Sequence, residues 1–166
     1  MIRVGILIVS DKGAYGERED KSGKKIEEII KRLDTEIVIK EIIPDEKDII
    51  VERLKDMVDQ SKIDLVITTG GTGLGKRDVT PDATIDVIDR EVRGFSEIMR
   101  VESFKITPHS IHSRGVTGTR GKSLIINLPG SPKAVEECLE IILPAIPHAI
   151  EVLKGESKEC GAGKGI

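Results

Sequence analysis

Apolar residues in this 166-residue chain fall into alternating strand-type and helix-type segments. The run IRVGILIVS (2–10) is almost wholly apolar and rich in β-branched residues, which predicts a strand buried on both faces. EIVIKEII (36–43) and IDLVITT (63–69) predict two further strands. KKIEEIIKRL (24–33) and the segment after PDE (44–46) place their apolar residues on one helical face. This alternation predicts an α/β fold in which helices cover a parallel sheet.

The region after the third strand continues the pattern with more interruptions. Thr80 is predicted to cap a helix over PDATIDVIDREV (81–92), because threonine followed by proline suits the start of a helix. GFSEIMRVESFKI (94–106) predicts another helix. The stretch 109–130 predicts irregular chain and then an apolar strand that ends at Leu128. This region would therefore add two helices and one strand.

The C-terminal part predicts one long helix and a short tail. SPKAVEECLEIILPAIPHAIEVLKG (131–155) has helical periodicity, and Pro144 and Pro147 remove backbone donors, so this helix is expected to bend. Neither a repeat nor a linker divides residues 1–154, which predicts one domain. The polar, glycine-containing stretch 155–166 is predicted to be a flexible tail.

Charge and composition narrow the classes of function. Apolar residues make up 38% and charged residues 33%, as in globular proteins. A net charge of -3 and only three aromatic residues, Tyr15, Phe95 and Phe104, offer neither attraction to polyanions nor a stacking platform, so nucleic acid is not an expected partner. The two cysteines lack metal-type spacing, no secretory signal begins the chain, and no apolar run reaches the roughly 18 residues that cross a bilayer. We therefore expect a soluble cytoplasmic protein without membrane contact.

The stretch TTGGTGLGKRDVTP (68–81) has four glycines within six positions, as expected where backbone turns tightly or lies close to a ligand. It nearly matches a P-loop, but Arg77 stands where a magnesium-binding Ser or Thr is needed, and the dinucleotide fingerprint requires another glycine spacing. A loop at the carboxyl edge of the sheet, with amides facing phosphate oxygens, fits best. Lys76 and Arg77 would then neutralise phosphate charge, and Asp78 would hold a magnesium ion. A solvent-exposed turn is the alternative.

Six short motifs occur along the chain: PDE (44–46), TTGGTG (68–73), RDVTPDAT (77–84), GF (94–95), SR (113–114) and NLPGSP (127–132). In this order they resemble the molybdopterin adenylyltransferase family, which includes the G-domain of gephyrin and its plant counterpart. The resemblance covers roughly residues 2–154 without large gaps, which is far more than a glycine loop alone could support.

This resemblance implies a three-layer α/β/α sandwich with a mixed, mostly parallel sheet, assembled as a homotrimer. It implies transfer of AMP from Mg-ATP to the terminal phosphate of molybdopterin, with release of pyrophosphate, and a downstream partner enzyme that inserts the metal. The family's two functional aspartates, catalytic and metal-binding, correspond to Asp45 and Asp78. Its nucleotide contacts correspond to Gly70, Gly71, Thr72, Gly73, Asn127, Pro129, Gly130 and Ser131. Ser113 and Arg114 match the family's SR pair on the substrate side.

The chemistry of the residues agrees with such a reaction. The pterin phosphate itself carries the attacking oxygen, so the protein needs no nucleophile and has to align two polyanions and offset their charge. Asp45 and Asp78 both follow predicted parallel strands and can reach the same sheet edge, although which of them binds the metal is open. A non-catalytic molybdopterin-binding or scaffold paralogue of the same pathway is the alternative function.

Ordinary structural roles are alternatives for several candidate residues. Asp45 lies between a proline and a predicted helix, where an N-cap is common. Asn127, the single asparagine of the chain, could be a turn residue or could hydrogen-bond adenine or ribose. His109 and His112 have a metal-like separation without an evident third ligand, so surface histidines and no zinc are expected.

Overall fold

The computed structural model describes residues 1–156. Six strands of this chain form a single sheet. Its strands are β1 (Ile2–Val9), β2 (Thr35–Ile43), β3 (Leu65–Thr69), β4 (Arg90–Glu91), β5 (Thr117–Arg120) and β6 (Ser123–Leu128). Their order across the sheet is β2-β1-β3-β6-β5-β4. Strands β1, β2, β3 and β6 run parallel, whereas β5 is antiparallel to β6 and β4 is antiparallel to β5. The predicted mixed, mostly parallel sheet is confirmed.

Helices connect these strands and follow the last of them. They are α1 (Asp11–Ala14), α2 (Lys21–Ile30), α3 (Lys47–Lys55), α4 (Thr80–Ile85), α5 (Arg93–Phe104), α6 (Pro132–Ile142) and α7 (Ile146–Lys154). A π-helical turn spans Asp56–Gln60, and 3-10 turns span Pro108–His112 and Leu143–Ala145. The predicted bend of the closing helix is confirmed, because the second 3-10 turn contains Pro144 and separates α6 from α7.

Apolar side chains form two cores, one on each face of the sheet. Along β1, Ile6 and Ile8 enter one core while Leu7 and Val9 enter the other, since successive side chains of a strand point to opposite faces. Helices α2, α6 and α7 cover the first core, and α3 and α4 cover the second. The predicted three-layer α/β/α sandwich is therefore confirmed.

The length predicted for the helix over 81–92 is wrong. Helix α4 ends at Ile85, and Arg90–Glu91 forms the edge strand β4. The backbone N–H groups of Asp89 and Val92 donate to carbonyl groups of β5, so tertiary pairing replaces the helical hydrogen bonds. Strand β5 itself lies in a stretch for which irregular chain was predicted.

Thr80 has a different role from the one its position predicted. It is the first residue of α4 rather than its cap. Its hydroxyl donates to the carbonyl oxygen of Gly70 (2.9 Å) and is fully buried. Thr80 therefore attaches the glycine loop to α4.

The C-terminal end of the described chain is a helix end. Gly155 has a left-handed conformation (φ 76°) and follows α7, as glycine commonly does at that position. Residues 157–166, the main part of the predicted flexible tail, lie outside the described residues. Across residues 1–156, no helix combines the length and apolarity that crossing a membrane requires.

Candidate functional site

The glycine loop lies at the carboxyl edge of the sheet, where β1, β3 and β6 end. Gly70 directly follows β3, and its backbone N–H donates to the carbonyl oxygen of Leu128 at the end of β6 (3.2 Å). The Thr69 hydroxyl donates to the carbonyl oxygen of Pro129 (2.7 Å). The loop and the Pro129-Gly130 turn, both predicted to contact nucleotide, therefore lie side by side.

Steric constraints require glycine at the first two positions of the loop. Gly70 and Gly71 have φ angles of 96° and 64°, which side chains rarely adopt. A Cβ atom on Gly70 would lie 2.2 Å from the carbonyl oxygen of Val9, and one on Gly71 would lie 2.5 Å from the hydroxyl of Thr80. Glycine thus lets the loop backbone lie directly against β1 and α4.

Arg114 stabilises the glycine loop by donating hydrogen bonds to its carbonyl groups. Its Nη2 donates to the carbonyl oxygen of Asp78 (2.6 Å), and its Nε donates to that of Gly73 (3.0 Å). Nη2 also pairs with Oδ2 of Asp82 (2.9 Å), which raises the pKa of Arg114. Its backbone N–H donates to the carbonyl oxygen of Thr72 (2.8 Å). Arg114, predicted on the substrate side, therefore holds the loop conformation in this structure.

Two cavities, of about 850 Å³ and about 430 Å³, meet at this loop. Gly71, Asp78 and Gly130 line both of them and form a shared wall. The larger cavity extends over the ends of β1 and β2 to the first turns of α2 and α6. The smaller cavity lies between α5 and α6. Both volumes suit small molecules, so the site offers two adjoining ligand cavities.

Two helices begin at the wall of the larger cavity. Asp20 caps α2 by accepting a hydrogen bond from the N–H of Gly23 (2.7 Å), and Ser131 caps α6 in the same way (3.2 Å). The Ser22 hydroxyl donates to the carbonyl oxygen of Gly130 (2.6 Å) and joins the two helix starts. Helix N-termini favour anionic groups, and this wall therefore suits phosphates.

Asp45 lines the larger cavity and is positioned by Asp11, which follows β1. The N–H of Asp11 donates to Oδ2 of Asp45 (2.8 Å), and the N–H of Asp45 donates to Oδ1 of Asp11 (3.0 Å). Oδ1 of Asp45 forms no hydrogen bond within residues 1–156 and lies 3.0 Å from the position of a Cβ on Gly71. Burial raises the pKa of Asp45, and the charges of Asp11 and Asp78 raise it further. Asp45 does not cap α3, which begins after Glu46 without a side-chain cap.

Asp78 in the shared wall and Asp45, which lines the larger cavity, both offer carboxylate oxygens that suit a magnesium ion. Oδ2 of Asp78 accepts a hydrogen bond from the N–H of Gly75 (2.7 Å), while its Oδ1 has no hydrogen bond within the described residues. Asp45 and Asp78 thus each keep one oxygen for a hard cation, which prefers oxygen ligands and retains several waters. Residues 1–156 contain no cluster of three or more His, Cys, Asp or Glu that could hold a metal by itself. Water and phosphate oxygens would have to complete the coordination.

The two predicted phosphate-binding cations behave differently. Arg77 donates from Nε to Oδ2 of Asp11 (2.7 Å) and from Nη2 to Oε1 of Glu46 (2.8 Å). Both bonds raise the pKa of Arg77, and the bond to Asp11 has the larger effect. In return, the hydrogen bond from Arg77 lowers the pKa of Asp11. Lys76 is exposed and has no ion-pair partner in the described chain. Lys76 thus has no ion pair within residues 1–156 but lines neither cavity, whereas Arg77 neutralises carboxylates next to Asp45.

Hydroxyl groups and apolar side chains line the smaller cavity. The hydroxyls belong to Thr72, Ser96, Ser103, Thr107, Ser110 and Ser113, and apolar contact comes from Met99, Pro129 and Ala134. His109 and His112 also line it, and both are exposed as predicted, with ring centroids 5.8 Å apart. Arg100, Asp78 and Glu137 add charged groups to this lining, which suits a polar ring system.

Asn127 is buried, and its side chain is hydrogen-bonded inside the protein. Its Oδ1 accepts from the N–H of Val116 (3.1 Å). Its Nδ2 donates to the hydroxyls of Thr68 and Thr84, at 2.9 Å each. Asn127 thus connects β6 with β3, α4 and the start of β5, and its amide nitrogen has no donor left for adenine or ribose.

Replacing Asn127 with alanine is expected to lower the free energy of unfolding by about 2–4 kcal/mol, because three buried polar groups each lose a hydrogen bond. The hydroxyls of Thr68 and Thr84 are both fully buried. Thermal unfolding should show a melting temperature lower by roughly 4–12 °C. A decrease below about 2 °C would mean that water replaces the amide.

Asp11 and the α5–α6 cavity are the parts of the site that sequence reasoning missed. Asp11 could have been found, because it directly follows a predicted parallel strand, as Asp45 does. The cavity residues on α5 and α6 carry no such signal, since polar residues on an amphipathic helix usually face solvent.

Comparison with known proteins identifies the family. Residues 5–148 match the family model described as "Probable molybdopterin binding domain". A molybdopterin adenylyltransferase from Helicobacter pylori is 46% identical over 156 residues, which cover 93% of this chain and 89% of the relative. The structure of the molybdopterin biosynthesis enzyme MoaB from Thermus thermophilus has a TM-score of 0.90 and 46% identity, covering 96% of this chain and 100% of that chain. The tungsten cofactor synthesizing protein MoaB from Pyrococcus furiosus has a TM-score of 0.83 and 37% identity, covering 95% and 98%. The chain therefore belongs to the molybdopterin binding domain family.

Proposed function

We propose that this protein is a molybdopterin adenylyltransferase, which transfers AMP from Mg-ATP to the terminal phosphate of molybdopterin and releases pyrophosphate. The observation that carries this proposal is the wall shared by two cavities, which contains Gly71, Asp78 and Gly130. Adenylyl transfer needs two substrates whose phosphates meet at one point, and two adjoining cavities provide that arrangement. The relative from Helicobacter pylori is named after the same activity, molybdopterin adenylyltransferase.

The linings support one substrate in each cavity. The larger cavity would take Mg-ATP, because it has the greater volume, two helix N-termini and the carboxylate of Asp45. The smaller cavity would take the pterin, because hydroxyls and apolar side chains suit a flat polar ring. Ser113, predicted on the substrate side, lines the smaller cavity, which supports this assignment.

In this reaction an oxygen of the molybdopterin phosphate attacks the α-phosphorus of ATP. A new phosphorus–oxygen bond forms while the bond to the bridging oxygen of the β-phosphate breaks, and pyrophosphate leaves with that electron pair. A bound magnesium ion would neutralise the phosphates, and Asp78 in the shared wall and Asp45 in the larger cavity would hold it. Lys76 and the backbone amides of Gly71, Thr72 and Gly73 would align the phosphate oxygens, since the Gly70 amide already donates to Leu128.

Purified protein incubated with Mg-ATP and molybdopterin should form adenylylated pterin and pyrophosphate in equal amounts. Chromatography follows the pterin, and a coupled phosphate assay follows pyrophosphate. Chelation of magnesium should stop both. If the protein bound molybdopterin and ATP and released neither product, it would be a non-catalytic paralogue.

We further propose a cytoplasmic homotrimer that passes its product to a metal-inserting enzyme. Large apolar side chains on and beside the outer face of α5 support self-association, since Val101, Phe104 and Ile111 are 56%, 49% and 61% exposed around a surface cavity. Light scattering should give about three times the chain mass of 18.1 kDa. Phe104→Glu should shift the mass to that of one chain, and a monomeric wild-type protein would contradict the proposal.

A further inference from the structure

We propose that Glu137 recognises the 2-amino-4-oxo edge of the pterin ring and thereby sets the selectivity of the smaller cavity. This inference rests on the proposed function, because it takes the pterin to bind between α5 and α6. In this role Glu137 is a specificity-determining residue and takes no part in the transfer of AMP.

Glu137 lies on α6 and lines the smaller cavity next to Ala134 and Cys138. Its side chain is 22% exposed. The carboxylates that line this cavity are those of Asp78 and Glu137. Asp78 belongs to the shared wall, where the phosphates would meet, whereas Glu137 does not line the larger cavity. Glu137 is thus the carboxylate placed to meet the ring rather than the phosphate.

The carboxylate of Glu137 is not committed to a strong internal partner. Within residues 1–156 it accepts no hydrogen bond, and its ion pair with Lys133 is 3.8 Å long to a side chain that is 79% exposed. The neighbouring acids of α6 pair instead with residues in and just after α2, Glu136 with Lys25 (3.7 Å) and Glu140 with Arg32. A partly buried carboxylate that faces a cavity is therefore available to a ligand.

The pterin ring carries a matching pair of donors. Its N3–H and 2-amino N–H groups point in the same direction, and a carboxylate can accept both at once, as it does from arginine. Charge-assisted bonds of this kind are stronger than neutral ones and depend on geometry. Lumazine, in which a carbonyl replaces the 2-amino group, keeps the N3–H donor but places an acceptor against the second carboxylate oxygen, which loses its hydrogen bond.

The test compares the binding of 6-hydroxymethylpterin and 6-hydroxymethyllumazine by titration calorimetry. Wild-type protein should prefer the pterin by at least roughly tenfold, the contribution of a hydrogen bond to a charged group. In Glu137→Gln the preference should fall below about threefold, because the amide offers one donor and one acceptor to either ring. Glu136→Gln, which changes the adjacent residue on the α2 side, should keep the wild-type preference.

Retention of the pterin preference in Glu137→Gln would overturn the inference, and so would wild-type protein that binds both rings equally or neither. With molybdopterin and Mg-ATP, Glu137→Gln should raise KM by a larger factor than it lowers kcat, as expected for a residue that binds ground and transition states alike. If only the proposed adenylyltransferase activity is wrong, the Glu137-dependent preference for pterin will still be measured, but no adenylylated product will form.

Discussion

Asp78→Asn is expected to lower the rate of adenylyl transfer about a thousandfold, the size of effect seen when one electrostatic contact to a reacting group is removed. Asparagine keeps the size of the side chain and an oxygen for the N–H of Gly75, which Asp78 now binds at 2.7 Å. It removes the negative charge that would hold magnesium at the shared wall. The measurement is kcat at saturating Mg-ATP and molybdopterin, together with the melting temperature, which should change little.

The matched control for this variant is Asp86→Asn. Asp86 follows α4, is 51% exposed and pairs with Lys47 at 2.7 Å, away from both cavities. This control should keep wild-type turnover, since an exposed ion pair contributes little. If Asp78→Asn retained turnover within about tenfold of wild type, Asp78 would not be a metal-binding residue, because the effect would be too small for a lost ligand.

Gly70→Ala is expected to cause the largest loss of stability among single substitutions in the glycine loop. The added Cβ would lie 2.2 Å from the carbonyl oxygen of Val9, in backbone that has a φ of 96°. Steric strain and unfavourable φ together should cost about 3–5 kcal/mol of unfolding free energy. Because both substrates depend on this loop, turnover should fall as well. Chemical denaturation measures the first effect and the transfer assay the second.

Gly16→Ala separates the two contributions to that loss. Gly16 also has a positive φ of 73°, but no atom lies within 4 Å of its added Cβ. The control should therefore lose only about 1–2 kcal/mol, which is the cost of the backbone conformation alone. Equal losses in Gly70→Ala and Gly16→Ala would show that β1 moves away from the new side chain without cost.

Local patterns predicted most of the fold because they report on burial. Apolar runs marked β1, β3 and β6, and helical spacing marked α2, α5 and α6. The same patterns failed at 81–92, where α4 stops and β4 begins, since β4 forms only by hydrogen bonding to β5. Short edge strands carry little periodicity of their own, and distant partners decide whether they form.

The candidate site likewise contains features that the sequence predicted and others that it could not predict. The glycine loop and the carboxylates Asp45 and Asp78 could be placed at one sheet edge because each follows a parallel strand. The roles of Arg77, Arg114 and Asn127 could not be predicted, because their partners lie far away in the chain. Arg77 pairs with Asp11, 66 residues earlier, and Asn127 with Thr68, 59 residues earlier.

Periodicity and short motifs are properties of neighbouring residues, and they were enough to predict the α/β class, the position of the phosphate-type loop and the family. Which cations are free became clear only from the folded chain, in which Lys76 is exposed and Arg77 is held by Asp11 and Glu46. The folded chain also shows that α5 and α6 enclose a second cavity with Glu137 in its lining. The physical reason is that charge pairing and cavity shape depend on which surfaces meet after folding, and residue spacing along a helix does not report this.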